Sequence, residues 1–444
     1  MRVKVIGAGL AGCEAAWRLA EEGFAVELYE MKPLKFSPAH HSAGFAELVC
    51  SNSLKANRLS SAAGLLKEEM RRCGSLILMA ARSAAVGAGG ALAVDRSFFS
   101  DYVTEKIRSH PAIQVLEGEV TEIPSGPAVI ATGPLTSDAL AEAISALCGE
   151  PLSFFDAAAP IVSADSIDRD RVFAAARYDR GEPDYLNCPM NREEYEAFHA
   201  ALVAAETAAL HDFDRPAVYE GCMPVEVLAR RGLDSIRFGP LKPVGLRDPR
   251  TGHRPWAVVQ LRQENRQATM YNLVGFQTNL KFQEQKRIFS MIPGLQNAQF
   301  LRYGVMHRNT FLNAPRVLDA GFAVKSSPLL FFAGQITGVE GYIESAMSGI
   351  WAGIGLSRAL RGLPPAIPPG DTMTGALCRY VAEPNPDYQP MGCNMGLLPP
   401  LVEPVRDKQA RYQQIAERAL QSFSAFLKEE GIREWPGEFS LTED

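Results

Sequence analysis

A chain of 444 residues, 47% of them hydrophobic, has the material for two or three domains and an ample core, which excludes a disordered or fibrous protein. Its 45 Lys and Arg against 51 Asp and Glu leave a net charge of −6, so attraction to an anionic polymer has to come from a local patch. Met1 leads almost directly into an apolar strand without a signal peptide, no uninterrupted apolar run reaches membrane-spanning length, and the eight cysteines form no C-x-x-C pair, so a cytoplasmic chain with neither zinc site nor disulfide framework is expected.

The first element is a short β-branched strand, Val3 to Ile6. It runs into Gly7-Ala8-Gly9-Leu10-Ala11-Gly12 and an Ala-rich helix, Cys13 to Glu22. The next apolar run, Phe24 to Tyr29, ends on Glu30. Strand, Gly-x-Gly-x-x-Gly, helix and terminal acid in this order read as a dinucleotide-binding unit. Gly7 permits the tight turn, Gly9 lets the backbone approach a pyrophosphate, and Gly12 lets helix and strand pack closely. The anion rests on the helix N-terminus, at Leu10 and Ala11, where free N–H groups and the dipole favour negative charge. Glu30 accepts hydrogen bonds from a ribose diol.

Farther along, Cys50 lies in the polar stretch Glu47-Leu48-Val49-Cys50-Ser51-Asn52-Ser53-Leu54-Lys55, suited to approach a bound cofactor. Gly87-Ala88-Gly89-Gly90 lacks a preceding strand and reads as a loop, so no second complete fingerprint is present. Arg96 is read either as an anion contact or as the partner of Asp95 in a buried ion pair. A second glycine signature follows, Ala128-Val129-Ile130-Ala131-Thr132-Gly133, an apolar strand ending in Ala-Thr-Gly. Near the C-terminus, Leu329 to Phe332 feeds Ala333-Gly334-Gln335, then Gly338, Gly341 and a helix from Ile343 to Leu360. Three such elements resemble the FAD-binding proteins of the glutathione-reductase type. That likeness implies an α/β, Rossmann-like domain holding FAD through the Gly7 to Gly12 loop, Glu30, Thr132, Gly133, Gly334, Gln335 and Gly341. NADH or NADPH is then a passing reductant.

Between the second and third signatures the charge changes. From Cys222 to Arg316 there are 15 Lys and Arg against 5 Asp and Glu, a local net of +10, which leaves −16 on the rest of the chain. The cations are interleaved with rings and amides: Arg247, Arg250, Arg254, Trp256, Arg262, Arg266, Tyr271, Lys281, Phe282, Lys286, Arg287, Arg302, Tyr303, His307 and Arg308. Phosphate contacts plus stacking surfaces suit a structured RNA; solvated faces paired with acids from elsewhere are the competing reading. Cys222, in Glu220-Gly221-Cys222-Met223-Pro224-Val225-Glu226, occupies an irregular turn at the entrance to this segment. Nearby cations favour its thiolate and Glu220 and Glu226 oppose it, so it stands as a candidate nucleophile. Cys13, Cys73, Cys148, Cys188, Cys378 and Cys393 are assigned to packing.

The strings Gly7 to Ala16, Leu48 to Lys55, Phe155 to Val162, Glu220 to Glu226, Tyr303 to Thr310 and Phe332 to Tyr342 resemble the folate- and FAD-dependent tRNA uracil-5 methyltransferases, the TrmFO family. The likeness runs from the first strand to about Leu360. What it implies is formation of 5-methyluridine in the T-loop of tRNA, with 5,10-methylenetetrahydrofolate as carbon donor and reduced FAD as carrier and reductant. Cys222 is then the thiolate that adds to uracil C6, and Cys50 a second motif cysteine beside the flavin. His307 and Arg308 fall in a motif suited to substrate binding, with the His307 ring stacking on a pterin. No metal is implied, and the oligomeric state is left open.

The expected architecture is a FAD-binding domain in two parts, residues 1–150 and 310–444, split by an α+β insertion domain, residues 151–309, that carries the basic surface. The proline-rich stretch Arg361 to Asp371 reads as an extended connector, and Arg406 to Glu429 as a helix packing back on the body. Two other enzymes stay open at this point: a wobble-uridine tRNA modification enzyme of the GidA type, and a small-molecule flavin oxidoreductase. So does a non-catalytic FAD-dependent RNA-binding protein.

Overall fold

β1 (Arg2–Ile6) buries Val3 and Val5 completely, as an alternating strand in the middle of a sheet must. These elements belong to a computed structural model describing residues 2–149, 152–179, 182–208, 223–386 and 388–435. β1 pairs in parallel with β2 (Ala25–Glu30) on one side and with the strand Ala128–Ile130 on the other. Beyond β2 lies Ile113–Glu117, and beyond Ala128–Ile130 lies Ser327–Phe332, both parallel to their neighbours; Ala323–Val324 closes that edge antiparallel. The chain leaves β1 through helix α1 (Leu10–Glu21) to one side, and the neighbour on the other side arrives about a hundred residues later. β1 is therefore the switch point of the sheet, where the carboxyl ends of strands open a crevice.

Register decides what meets in that crevice. Ile6 and Phe332 both stand level with Ile130. The ladder continues one step, Ala131 N–H to Ile6 O at 2.8 Å and Ala333 N–H to Ile130 O at 2.9 Å. The three glycine turns that follow these strands consequently emerge side by side.

A second sheet is antiparallel throughout, in the order Phe173–Ala174, Tyr185–Met190, Ala257–Gln263, Met270–Leu273, Ile161–Ser163, Phe300–Arg302. It has its own core, in which Val162, Cys188, Tyr195, Phe198, Leu261 and Phe276 are buried. The pair Leu152–Ala157 and Met306–Phe311 forms a separate antiparallel ribbon beside the first sheet. Helices and an antiparallel sheet together make this the α+β part of the molecule.

The glycines at 87, 89 and 90 form the turn between the short strands Ala85–Val86 and Ala91–Val94. Residues 361–371 run without helix or strand. The last helix, Lys408–Glu429, buries Ile415, Phe423 and Leu427 and sets Phe423 and Phe426 at 6.2 and 5.9 Å from the Trp351 ring. Among the described residues, no helix is long and apolar enough to cross a membrane. Cys13, Cys73, Cys188 and Cys378 are buried, while Cys148 and Cys393 are half-buried. Burial pushes the Cys73 thiol up to about 12 and that of Cys148 to about 11, as expected for inert packing thiols.

Candidate active site

The loop after β1 shows why three glycines are needed there. Gly7 has φ +97°, and a Cβ on it would stand 2.8 Å from Ala131 O. On Gly12 the Cβ would fall 1.8 Å from Gly7 O, so the helix packs directly on the loop. Gly9 is different: nothing lies within 4 Å of its Cβ position, and it faces the cleft with its backbone bare. Gly9 is also the N-cap of α1 and offers no side-chain cap, so the first-turn N–H groups are left for an anion. Glu30, at the end of β2, is buried; its Oε2 accepts from Ala8 N–H at 2.8 Å and its Oε1 from Lys32 N–H at 2.9 Å.

Gly7, Gly9, Leu10, Ala11 and Glu30 line one cleft with Thr132 and Gly133 of the second signature and Gly334 and Gln335 of the third. Gly133 (φ +71°) and Gly334 (φ +87°) hold left-handed backbone that other residues rarely adopt. Gly334 N–H donates to Ser348 Oγ at 2.7 Å, which ties the third turn to its helix, Tyr342–Leu360. A long cleft crossing the carboxyl ends of three strands, with an uncapped helix N-terminus and a terminal acid, fits a dinucleotide. Gly12 and Gly341 do not line it. Gly12 serves the contact between loop and helix; Gly341, φ +120°, is the N-cap of Tyr342–Leu360 beside Glu344.

Cys50 lines the same cleft, on a loop held from several directions. Arg96 donates to Leu48 O at 2.7 Å and Val49 O at 3.1 Å, and forms a two-pronged ion pair with Glu264 at 2.8 and 3.2 Å. Its partner is thus Glu264 of the second sheet's border and not Asp95, whose side chain caps the helix Arg96–Ser109. Arg262 donates to Asn52 Oδ1 and Ser51 Oγ, both at 2.8 Å. Tyr342, the first residue of the helix Tyr342–Leu360, places its hydroxyl 3.0 Å from Cys50 Sγ.

Comparison with known proteins then decides the family. Residues 2–364 match the family described as Glucose inhibited division protein A. The Methylenetetrahydrofolate--tRNA-(uracil-5-)-methyltransferase TrmFO of Desulfitobacterium hafniense is 57% identical over 97% of this chain and 99% of its own. The proteins of that name from Desulforudis audaxviator, 58% identical over 97% and 99%, and Listeria monocytogenes, 56% over 96% and 99%, are equally complete matches. The chain belongs to the TrmFO family. Aquifex aeolicus GidA shares its fold, with a TM-score of 0.70 at 16% identity over 98% of this chain and 74% of that one.

Of the residues the TrmFO motifs single out, Cys222 lies outside the described residues, as does Glu220. Its neighbour Glu226 is buried, and burial pushes its carboxyl up; its oxygens accept from Thr278 Oγ1 at 2.8 Å and Asn279 N–H at 2.7 Å. His307 and Arg308 stand on the strand Met306–Phe311 opposite Asp156 and Phe155, with their side chains outside the described part. Two positions beyond His307, Asn309 lines the cleft.

The basic segment is less uniformly a surface than its sequence suggests. Arg262 is buried, and Tyr271 as well. Arg250 pairs with Asp248, Lys281 with Glu206 and Arg287 with Glu284. The Trp256 ring is covered by Arg237 at 3.9 Å and Arg192 at 5.4 Å. Arg247 and Arg254 are exposed and, among the described residues, make no ion pair. Tyr342, Lys32, His40 and Glu47 also line the cleft, and Glu264 supports it through Arg96, although no motif singles them out. The one usable signal was for Tyr342, which follows Gly341 at a helix start; the others belong to no recognisable spacing.

Proposed function

We propose that this protein forms 5-methyluridine in the T-loop of tRNA, with 5,10-methylenetetrahydrofolate as carbon donor. The observation that carries the reading is the convergence of three glycine turns and Cys50 on one cleft, in a chain 56–58% identical over almost its whole length to proteins named for this reaction.

Each part of the cleft has a task. The uncapped N-terminus of α1 with Gly9 holds a pyrophosphate, and Glu30, with lone pairs left on both oxygens, holds a ribose. Thr132, Gly133, Gly334 and Gln335 line the rest of a bound FAD. FAD, when bound there, supplies the two electrons that take the transferred carbon from methylene to methyl, and NADH or NADPH restores them. Uracil C5 is a poor nucleophile until a thiolate adds to C6. Cys222 makes that C6–S bond, which moves the electron pair of the double bond to C5; C5 bonds to the donated methylene, loss of the C5 proton expels the carrier nitrogen by breaking its C–N bond, hydride completes the methyl group, and the C6–S bond then breaks to restore the double bond and release the thiolate. Cys50 stands beside the flavin as an acid/base or protecting group. His307, near Asn309 on the same strand, contacts the pterin. Exposed Arg247 and Arg254 offer phosphate contacts to the tRNA.

The test is nucleoside mass spectrometry of T-loop-unmodified tRNA incubated with protein, FAD, NADH and methylenetetrahydrofolate, beside a folate-free control. Folate-dependent 5-methyluridine, abolished by Cys222→Ala, is the expected outcome. A folded, yellow protein that makes none overturns it, and modification at the wobble position would reassign the chain to the GidA-type reaction.

A further inference from the structure

The hydroxyl of Tyr342 has an unusual set of neighbours. Its oxygen accepts from Cys50 N–H at 2.8 Å and from Ser51 N–H at 3.2 Å, and Cys50 Sγ stands 3.0 Å away. A phenolic oxygen has two lone pairs and one proton. We infer that Tyr342 is a positioning residue for Cys50: with both acceptor sites taken by backbone N–H groups, its proton can only be donated to Cys50 Sγ, which holds the sulfur as an acceptor at the wall of the flavin cleft.

Direction matters here because a thiol and a thiolate differ as acceptors. An O–H donated to a sulfur anion is charge-assisted and stronger than one donated to a neutral thiol, so the arrangement favours the ionised form. The surrounding charges agree. Among the described residues, Arg96 from the helix Arg96–Ser109 and Arg302 from the strand Phe300–Arg302 both lie in electrostatic range of Cys50, and Glu264, already bound to Arg96, is a carboxylate acting on both cations. Among the described residues the Arg302 side chain makes no hydrogen bond or ion pair. Tyr342 itself keeps its proton, since burial and the neighbouring sulfur push its ionisation upward. The loop is also held independently of Tyr342 by Arg96 and Arg262, so removing the hydroxyl changes the donor to sulfur more than the course of the backbone.

This deepens the role proposed above for Cys50, and its test requires neither tRNA nor folate, so the two can fail separately. The purified full-length protein is labelled with iodoacetamide between pH 5 and pH 10, and the rate at Cys50 is read by peptide mass spectrometry with added N-acetylcysteine as the reference thiol. In the native protein the labelling midpoint of Cys50 is expected below the ordinary thiol value of about 8.5. Tyr342→Phe should raise it by about one pH unit, close to a tenfold slower reaction at neutral pH. Site-specific 3-fluorotyrosine at 342, which preserves the fold and strengthens the donor, should lower it. A loosened loop alone would accelerate labelling at every pH without moving the midpoint. A midpoint unmoved in both variants, or moved in the same direction in both, overturns the inference.

Discussion

Gly12 shows how little freedom a single position can have. Any Cβ there would sit 1.8 Å from the backbone oxygen of Gly7, so Gly12→Ala must push helix α1 off its loop. A loss of about 2 kcal/mol in urea unfolding is expected, together with loss of bound FAD after purification. Glu69 is constrained by charge instead of volume. It is fully buried, and its carboxyl accepts from Met373 N–H at 2.9 Å and from Thr374 N–H at 2.7 Å and Oγ1 at 2.6 Å, while burial raises its ionisation to about 7. Between the ordinary carboxylate value of about 4.3 and about 7, the unfolded chain has released this proton and the folded chain has not. The folded state therefore binds more protons, and raising the pH through that window lowers stability. Glu69→Gln should remove this slope: the stability difference between the native protein and the variant should change by up to about 3 kcal/mol between pH 4.5 and pH 7. Curves that stay parallel would rule this out. At His307, replacement by Ala is expected to raise the apparent KM for folate several-fold while FAD content is kept; an unchanged folate response removes the pterin contact.

At the scale of elements, two junctions position the site. Helix α1 crosses Tyr342–Leu360 where Gly349 has no side chain; a Cβ there would stand 2.1 Å from Ala11 O. Gly349→Ala should thus separate the helix whose uncapped N-terminus faces the cleft from the helix that carries Tyr342. Weaker FAD binding at near-native secondary structure, read by flavin fluorescence and circular dichroism, is the expected result. The second junction is the Cys50 loop, held by Arg96, Arg262 and Asn52, whose Nδ2 donates to Val94 O at 3.0 Å and Gln263 O at 2.9 Å. These bonds reach from the parallel sheet's side of the molecule to the antiparallel sheet, so the cysteine is fixed where the two units meet.

For the whole molecule, the relevant quantity is the distribution of charge. A net of −6 disfavours contact with RNA in general, so binding depends on cations left without acids. Among the described residues, Arg247 and Arg254 meet that condition, while Arg250, Lys281 and Arg287 do not. The double substitution Arg247→Glu and Arg254→Glu should weaken tRNA binding about tenfold at low salt and reduce the salt slope by about two, with FAD content unaltered. An unaltered slope would place the RNA on another face.

Much of this was legible in the chain itself. The Gly7 to Gly12 loop, the Ala-Thr-Gly strand and the Gly334 turn are local signals, because a tight turn before a helix needs particular residues at particular spacings. The three parallel strands they follow were legible for the same reason, as was the packing role of Gly12. Which cations remain free was not legible, since Arg262 looks like its exposed neighbours until the sheet buries it against Asn52 and Ser51. Nor could spacing reveal that Arg96 pairs with Glu264, 168 residues away, or that Tyr342 meets Cys50, 292 residues away. The sequence by itself determined the dinucleotide-binding unit, because backbone conformation and helix polarity are properties of a few adjacent residues. That Tyr342 meets Cys50 at the wall of the cleft was decided only by the tertiary structure, because a hydrogen bond between distant segments depends on how the sheets and helices pack.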